Sequence, residues 1–134
     1  MQPPLPVPDH LSAFFWEGCK VHELRLQRCG DCAKVRFPPG PVCPKCRSAN
    51  TEIFVSEGHG NVYSWIVVRH PIPAEVYASE VPYVVALIDL DDGTRMPGNI
   101  IDCEPEAISG GMRVELLFKD VTDDVSLPQF RPAL

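Results

Sequence analysis

Four cysteines stand in two pairs, Cys29-Gly30-Asp31-Cys32 and Cys43-Pro44-Lys45-Cys46, with ten residues between the pairs. A two-residue spacer lets both thiolates of a pair turn toward one point while backbone N–H groups aim at the sulfurs. Two such knuckles at the ends of a short hairpin supply the four soft ligands that tetrahedral zinc prefers. Gly40, Pro44 and the flanking Pro38, Pro39 and Pro41 fix the turn that returns the second knuckle to the first. The reading is a structural zinc held by Cys29, Cys32, Cys43 and Cys46; a mononuclear iron site would use the same sulfurs. With four thiolates bound the metal has no open position for substrate, so the site is a staple and not a catalyst.

Other uses of paired cysteines fit less well. A disulfide framework expects an oxidising compartment, whereas Met1-Gln2-Pro3-Pro4 does not begin a signal peptide. A thioredoxin-like redox pair stands alone at a strand–helix junction and is not duplicated around a Pro/Gly-rich hairpin. Cys19 and Cys103 are left over and read as small buried hydrophobes. The setting expected is reducing and cytoplasmic.

Elsewhere the chain offers no catalytic constellation. His10, His22, His59 and His70 lack the mutual spacing of a metal or catalytic site. Asp89, Asp91 and Asp92 straddle a turn, Asp120, Asp123 and Asp124 form a loop, and neither set follows the EF-hand pattern. There is no G-x-S-x-G and no phosphate-cradling glycine loop. Six of the 12 Lys and Arg residues, Arg25, Arg28, Lys34, Arg36, Lys45 and Arg47, fall in or beside the hairpin. Such a patch could meet phosphates, of a nucleic acid or of coenzyme A, but a solvated hairpin face is the better reading.

The elements that must position the cysteines follow from patterning. The chain has 134 residues, 45% hydrophobic and 22% charged, enough for one domain with an appendage or two very small ones. Its longest apolar run, Val84 to Ile88, suits a strand and not a membrane span. A net charge of −6 argues against a surface built for nucleic acid or anionic lipid. Residues 1–23 read as a proline-rich start and a helix N-capped by Asp9, with Leu11, Phe14, Phe15 and Cys19 on one stripe and Gly18 ending or weakening it. That stripe packs on its own domain or docks another chain. Residues 24–56 read as a three-stranded zinc ribbon, with strands around Leu24–Leu26, Val35–Phe37 and Thr51–Val55. Residues 57–134 turn to regular β structure: Asn61–Arg69, Val81–Leu90, the hairpin turn Asp91-Asp92-Gly93, Thr94–Asp102 with a bulge or edge at Pro97–Gly98, and Met112–Lys119. Four or five short strands predict a small Greek-key barrel of the OB type, with a short helix or loop at Glu104–Ile108. The fold class is thus mainly β. Removing zinc is expected to unfold the ribbon, while the barrel, with apolar strands of its own, survives.

Taken in order, the pieces carry a resemblance: Phe14-Phe15-Trp16-Glu17-Gly18, Leu26-Gln27-Arg28-Cys29, the two knuckles, Gly60-Asn61-Val62-Tyr63-Ser64, Val81-Pro82-Tyr83-Val84-Val85-Ala86-Leu87, Gly110-Gly111-Met112-Arg113-Val114 and Leu127-Pro128-Gln129-Phe130-Arg131-Pro132. Over residues 9–132 the chain resembles the acyl-CoA-associated family once called domain of unknown function thirty-five. The resemblance implies N-terminal helices, a rubredoxin-like zinc ribbon and a five-stranded OB-fold barrel. It implies an accessory subunit or domain that pairs with a thiolase-like protein in a hetero-oligomer, the partner holding the reactive groups and the acyl-CoA. The complexes implied make or break carbon–carbon bonds of acyl-CoA thioesters, steroid side-chain retro-aldol cleavage among them, or hydrate acyl-CoA. The chain alone is expected to show no turnover, with no catalytic residue of its own. It also suits one domain of a longer hydratase-type polypeptide. Ala33 and Arg47 depart from the family's glycine after each knuckle, where a left-handed turn is often needed. The competing reading is a single-stranded nucleic-acid-binding OB-fold module, for which an aromatic share of 8% and the negative charge are poor.

Overall fold

The computed structural model describes residues 2–134; of the proline-rich start, Met1 lies outside the described residues. Asp9 caps a turn one step ahead of the helix. Its Oδ1 accepts the amides of Leu11 (3.0 Å) and Ser12 (2.8 Å), and Ser12 Oγ accepts the amide of Asp9 (3.1 Å). The helix proper, α1, runs Ala13–Lys20. Gly18 does not end it. A Cβ there would come within 2.7 Å of the Arg25 side chain and 2.8 Å of the Glu23 carbonyl, so glycine lets the helix lie directly on the strand that follows.

Three strands form the ribbon, β1 (Leu24–Cys29), β2 (Val35–Arg36) and β3 (Thr51–Ser56), antiparallel in the order β2-β1-β3. Five more form a closed barrel, β4 (His59–Val68), β5 (Tyr83–Leu90), β6 (Arg95–Ile100), β7 (Arg113–Asp120) and β8 (Ser126–Pro132), in the order β4-β5-β6-β8-β7 with β7 returning to β4. The β6–β8 contact is parallel and the others antiparallel, the Greek-key closure of an OB-fold. A 3-10 turn at Pro105–Ala107 occupies the segment between β6 and β7. A short helix, α2 (Ala74–Tyr77), lies where the prolines at 71 and 73 suggested only a connection.

Two details of the barrel differ from the patterning. The bulge falls at Tyr63 in β4, where the register against β5 shifts between Val62 and Ser64. Pro97 and Gly98 instead face Leu87 and Ala86 in a regular ladder and mark an edge, because β6 meets β8 only at Ile100–Phe130. β8 itself is hidden in the sequence by Pro128 and Pro132. Ala133 N–H bonds to Arg113 O on the β7 side (2.9 Å), and Ile101 N–H bonds to Phe130 O on the β6 side (2.8 Å). The two prolines are in phase with Phe130, so their missing donors face the side where the ladder is one pair long.

Helix, ribbon and barrel share one core. Phe15, Cys19, Leu24, Leu26 and Val35 belong to the same buried cluster as Val62, Val84, Ile88, Met96, Val114 and Phe130. The apolar stripe of α1 therefore packs within this chain through Phe15 and Cys19. His22, in the left-handed region at φ 62°, reverses the chain between α1 and β1. Its Nε2 lies 2.7 Å from Asp120 Oδ1 and its ring stacks on Phe118, tying that reversal to β7. Among the described residues no helix is long and apolar enough to cross a membrane.

Candidate metal centre

The end of β1 delivers Cys29, and the loop between β2 and β3 delivers the second knuckle opposite it. The four Sγ atoms of Cys29, Cys32, Cys43 and Cys46 lie within 4.8 Å of one another, with Cys29–Cys46 at 3.5 Å and Cys32–Cys43 at 3.6 Å. A tetrahedron with Zn–S bonds of about 2.3 Å has S···S edges of about 3.8 Å, so the thiols are positioned to bind one metal ion with small side-chain adjustments. Cys29 and Cys43 are buried, Cys32 is half-buried and Cys46 exposed.

The two knuckles repeat one another. Cys29 O accepts the amide of Ala33 (3.0 Å) as Cys43 O accepts that of Arg47 (2.8 Å), and the amides of Cys29 and Cys43 bond to Lys34 O and Ser48 O (both 2.9 Å). Amides of Asp31 and Cys32 point at Cys29 Sγ, and that of Lys45 at Cys43 Sγ, each at 3.4 Å. Such donors stabilise thiolate, the form that binds metal. The Cys43 thiol is accordingly lowered to about 6, first by the Cys46 amide and then by that of Lys45. Cys29 is lowered by the amides of Cys32 and Asp31. Cys46 feels the Ser48 amide in the same sense, yet the sulfurs of Cys29, Cys32 and Cys43 and its own desolvation push it up to about 12. Bringing four thiolates together without a cation is unfavourable. The donor set is that of a closed zinc site.

Ala33 (φ 65°) and Arg47 (φ 66°) occupy the left-handed turns that close the knuckles. This conformation is unfavourable for residues with a Cβ. Ala33→Gly and Arg47→Gly are each expected to stabilise the zinc-loaded protein by about 0.5–1 kcal/mol in urea denaturation; an unchanged or lower midpoint in both would refute the strain.

Beyond the four sulfurs, a clasp joins the knuckles that cysteine spacing did not reveal. Asp31 accepts hydrogen bonds from Ser48 Oγ and Asn50 Nδ2, which hold its carboxyl below the usual range, and Gly30 N–H bonds to Asn50 O at 2.9 Å. The polar residue inside the first knuckle was the available signal.

The remaining candidates scatter. No histidine joins the thiol cluster. Cys19 is fully buried and desolvation pushes its thiol up to about 12, while half-buried Cys103 points at Glu104 O. Asp89 pairs with Arg95, Asp91 with Arg113 and Asp92 with Ser56, so these carboxylates are spent on structure. The basic cluster does not form one phosphate-binding face. Arg25 is held by Glu23 and Arg28 lies over Phe54 near Glu52. Arg36 is buried, bonded to Gln27, Gly40 O and Thr51. Two grooves flank the β6–β8 seam. An apolar one of about 390 Å³ is lined by Trp16, Phe37, Pro97 and Pro128. The other, of about 300 Å³, is lined by Tyr77, Tyr83 and Lys119, and Asn99, Leu127 and Gln129 line both. The second also carries Glu80 beside Lys119, whereas the apolar one has no ionisable side chain in its lining.

Comparison with known proteins agrees with this geometry. Residues 16–52 match the family described as "ChsH2, rubredoxin-like zinc ribbon domain" and residues 55–119 that described as "ChsH2, C-terminal OB-fold domain". The chain is 38% identical over 84% of its length to the 3-oxo-4,17-pregnadiene-20-carboxyl-CoA hydratase alpha subunit of Mycobacterium tuberculosis, but spans only 35% of that protein. It is 41% identical to a DUF35 domain-containing scaffold protein of Methanocaldococcus jannaschii, over 72% of this chain and 68% of the relative. Among solved structures, a chain of an Ltp2-ChsH2(DUF35) aldolase superposes with a TM-score of 0.86 at 41% identity, covering 96% of this chain and 99% of that one.

Proposed function

The chain belongs to the DUF35 family, and from that premise we propose that it is a zinc-stapled accessory subunit or domain that pairs with a thiolase-like enzyme acting on acyl-CoA thioesters. The observation that carries this reading is the near end-to-end match to a chain of an Ltp2-ChsH2(DUF35) aldolase, joined to four cysteines gathered as a closed metal site. Carbon–carbon cleavage is the reaction class we assign to the complex. A steroid side-chain retro-aldol is its specific form: the cleavage is supported by the aldolase neighbour, and the steroid skeleton by the name of the mycobacterial relative, itself a pregnadiene-carboxyl-CoA hydratase subunit.

In this reading zinc is held by Cys29, Cys32, Cys43 and Cys46 and performs no step. When bound it would supply a cross-link between two loops that amides alone do not hold. Residues 24–56 act as the ribbon and 57–134 as the OB-fold, with α1 wedged against both. The chain stabilises its partner and helps shape that partner's acyl-CoA entrance. Four metal-binding cysteines and two further unpaired thiols, Cys19 and Cys103, suit a reducing, cytoplasmic setting. The purified chain is expected to turn over no acyl-CoA thioester, while its addition to a thiolase-like partner raises that partner's turnover. Activity of the isolated chain that vanished in Cys103→Ala would overturn the assignment.

A further inference from the structure

The outer edge of β3 is open. Gly30 N–H bonds to Asn50 O, which sets the phase of the ladder: Arg28–Glu52, Leu26–Phe54 and Leu24–Ser56 are the pairs that exchange hydrogen bonds with β1. The N–H and C=O groups of Thr51, Ile53 and Val55 therefore point away from β1, and among the described residues no backbone group meets them. Ile53 and Val55 are 47% and 52% exposed on one face. A straight edge of this kind, without proline, lysine or bulge to blunt it, is a template for another strand.

We propose that this edge pairs with the same edge of a second copy of the chain, joining two ribbons into one six-stranded antiparallel sheet. The sequence Thr51-Glu52-Ile53-Phe54-Val55-Ser56 is complementary to itself about a two-fold axis through Ile53. In that register Ile53 faces Ile53 and Thr51 faces Val55, and each facing pair exchanges both of its N–H···O bonds. Ile53 and Val55 of the two copies merge into one β-branched stripe.

Charge selects this register over its neighbours. Glu52 of one copy falls opposite Phe54 of the other, and over that ring sits Arg28, with its guanidinium carbon 4.1 Å from the centroid. Within one chain Arg28 reaches Glu52 only loosely, at 3.9 Å, so it can serve the Glu52 of the other copy as well. A two-residue slip one way sets Glu52 against Glu52, and the other way sets Phe54 against Phe54; both shorten the ladder. The fit is isologous, so it closes at two copies and does not propagate.

The test is sedimentation velocity of the zinc-loaded full chain at micromolar concentration, with zinc content and circular dichroism confirming that every variant is folded. The wild type is expected to sediment as a dimer. Glu52→Arg and Arg28→Glu each create like-charge contacts across the axis and are expected to weaken self-association about tenfold or more. Mixing the two variants sets the introduced arginine of one against the introduced glutamate of the other. The first variant's own Arg28 then meets the second's own Glu52, and the dimer is expected to return. A monomeric wild type, single variants that dimerise as the wild type does, or a mixture that stays monomeric would each overturn the proposal. So would a wild type that remains monomeric and uses this edge only to bind a thiolase-like protein.

Discussion

Serine in place of Cys43 is expected to unfold the ribbon and to destabilise the barrel with it. Cys43 is fully buried, and three thiolates without the fourth leave the metal open to water and its loops untied. A structural zinc in a small domain is worth on the order of 10 kcal/mol, comparable to the roughly 5–15 kcal/mol that holds a whole domain folded. The apolar strands of the barrel suggest that it outlasts the metal, but the shared core argues otherwise. Phe15, Cys19, Leu24, Leu26 and Val35 belong to one buried cluster with the barrel's own Val62, Ile88 and Phe130, and losing the ribbon opens that cluster. Near-ultraviolet circular dichroism reads both regions, since Trp16 lies in α1 and Trp65 in β4. Both tertiary signals and protease resistance are expected to fall in Cys43→Ser and in chelated wild type. Full retention of both after complete zinc removal would refute the staple.

Phe130→Ala is expected to cost about 3–5 kcal/mol, the usual range for truncating a fully buried phenylalanine. The position is more exacting than burial alone conveys. Phe130 forms the one β6–β8 pair with Ile100, and its carbonyl takes the Ile101 amide at 2.8 Å. Its ring lies against Gly98, where a Cβ would come within 2.8 Å of it. Removing the ring opens a cavity at the seam that closes the barrel. Urea denaturation should show the full loss for alanine and about 1–2 kcal/mol for Phe130→Leu, which keeps most of the volume. A loss below about 1 kcal/mol for alanine would mean that the seam is held by something else.

Much of this was legible from residue types and spacing. The knuckles declare their chemistry because two residues is the spacer that converges thiolates, and the ribbon follows from the alternation of Leu24 and Leu26 and of Thr51 to Val55. The family resemblance implied a left-handed turn after each knuckle, and Ala33 and Arg47 adopt it without the family's glycine. What patterning missed was set by partners distant in sequence. β8 carries two prolines that argue against a strand until the one-pair ladder beside it is known. Gly18 looks like a helix end because nothing nearby in sequence says that β1 lies on it. Asp31 acquires its role only when Ser48 and Asn50 arrive, and His22 only when Asp120 does. The basic cluster looked continuous because charges were counted along the chain; in space Glu23, Glu52 and a buried polar nest consume half of it.

Pairing with a thiolase-like protein is how this chain is expected to work. Co-expression of the two from the same genome, followed by size-exclusion chromatography with light scattering, tests it most directly. A single stable complex of fixed stoichiometry, retaining zinc in this chain, is the predicted result. Recovery of both proteins as separate species, each folded and the ribbon loaded with zinc, would contradict it.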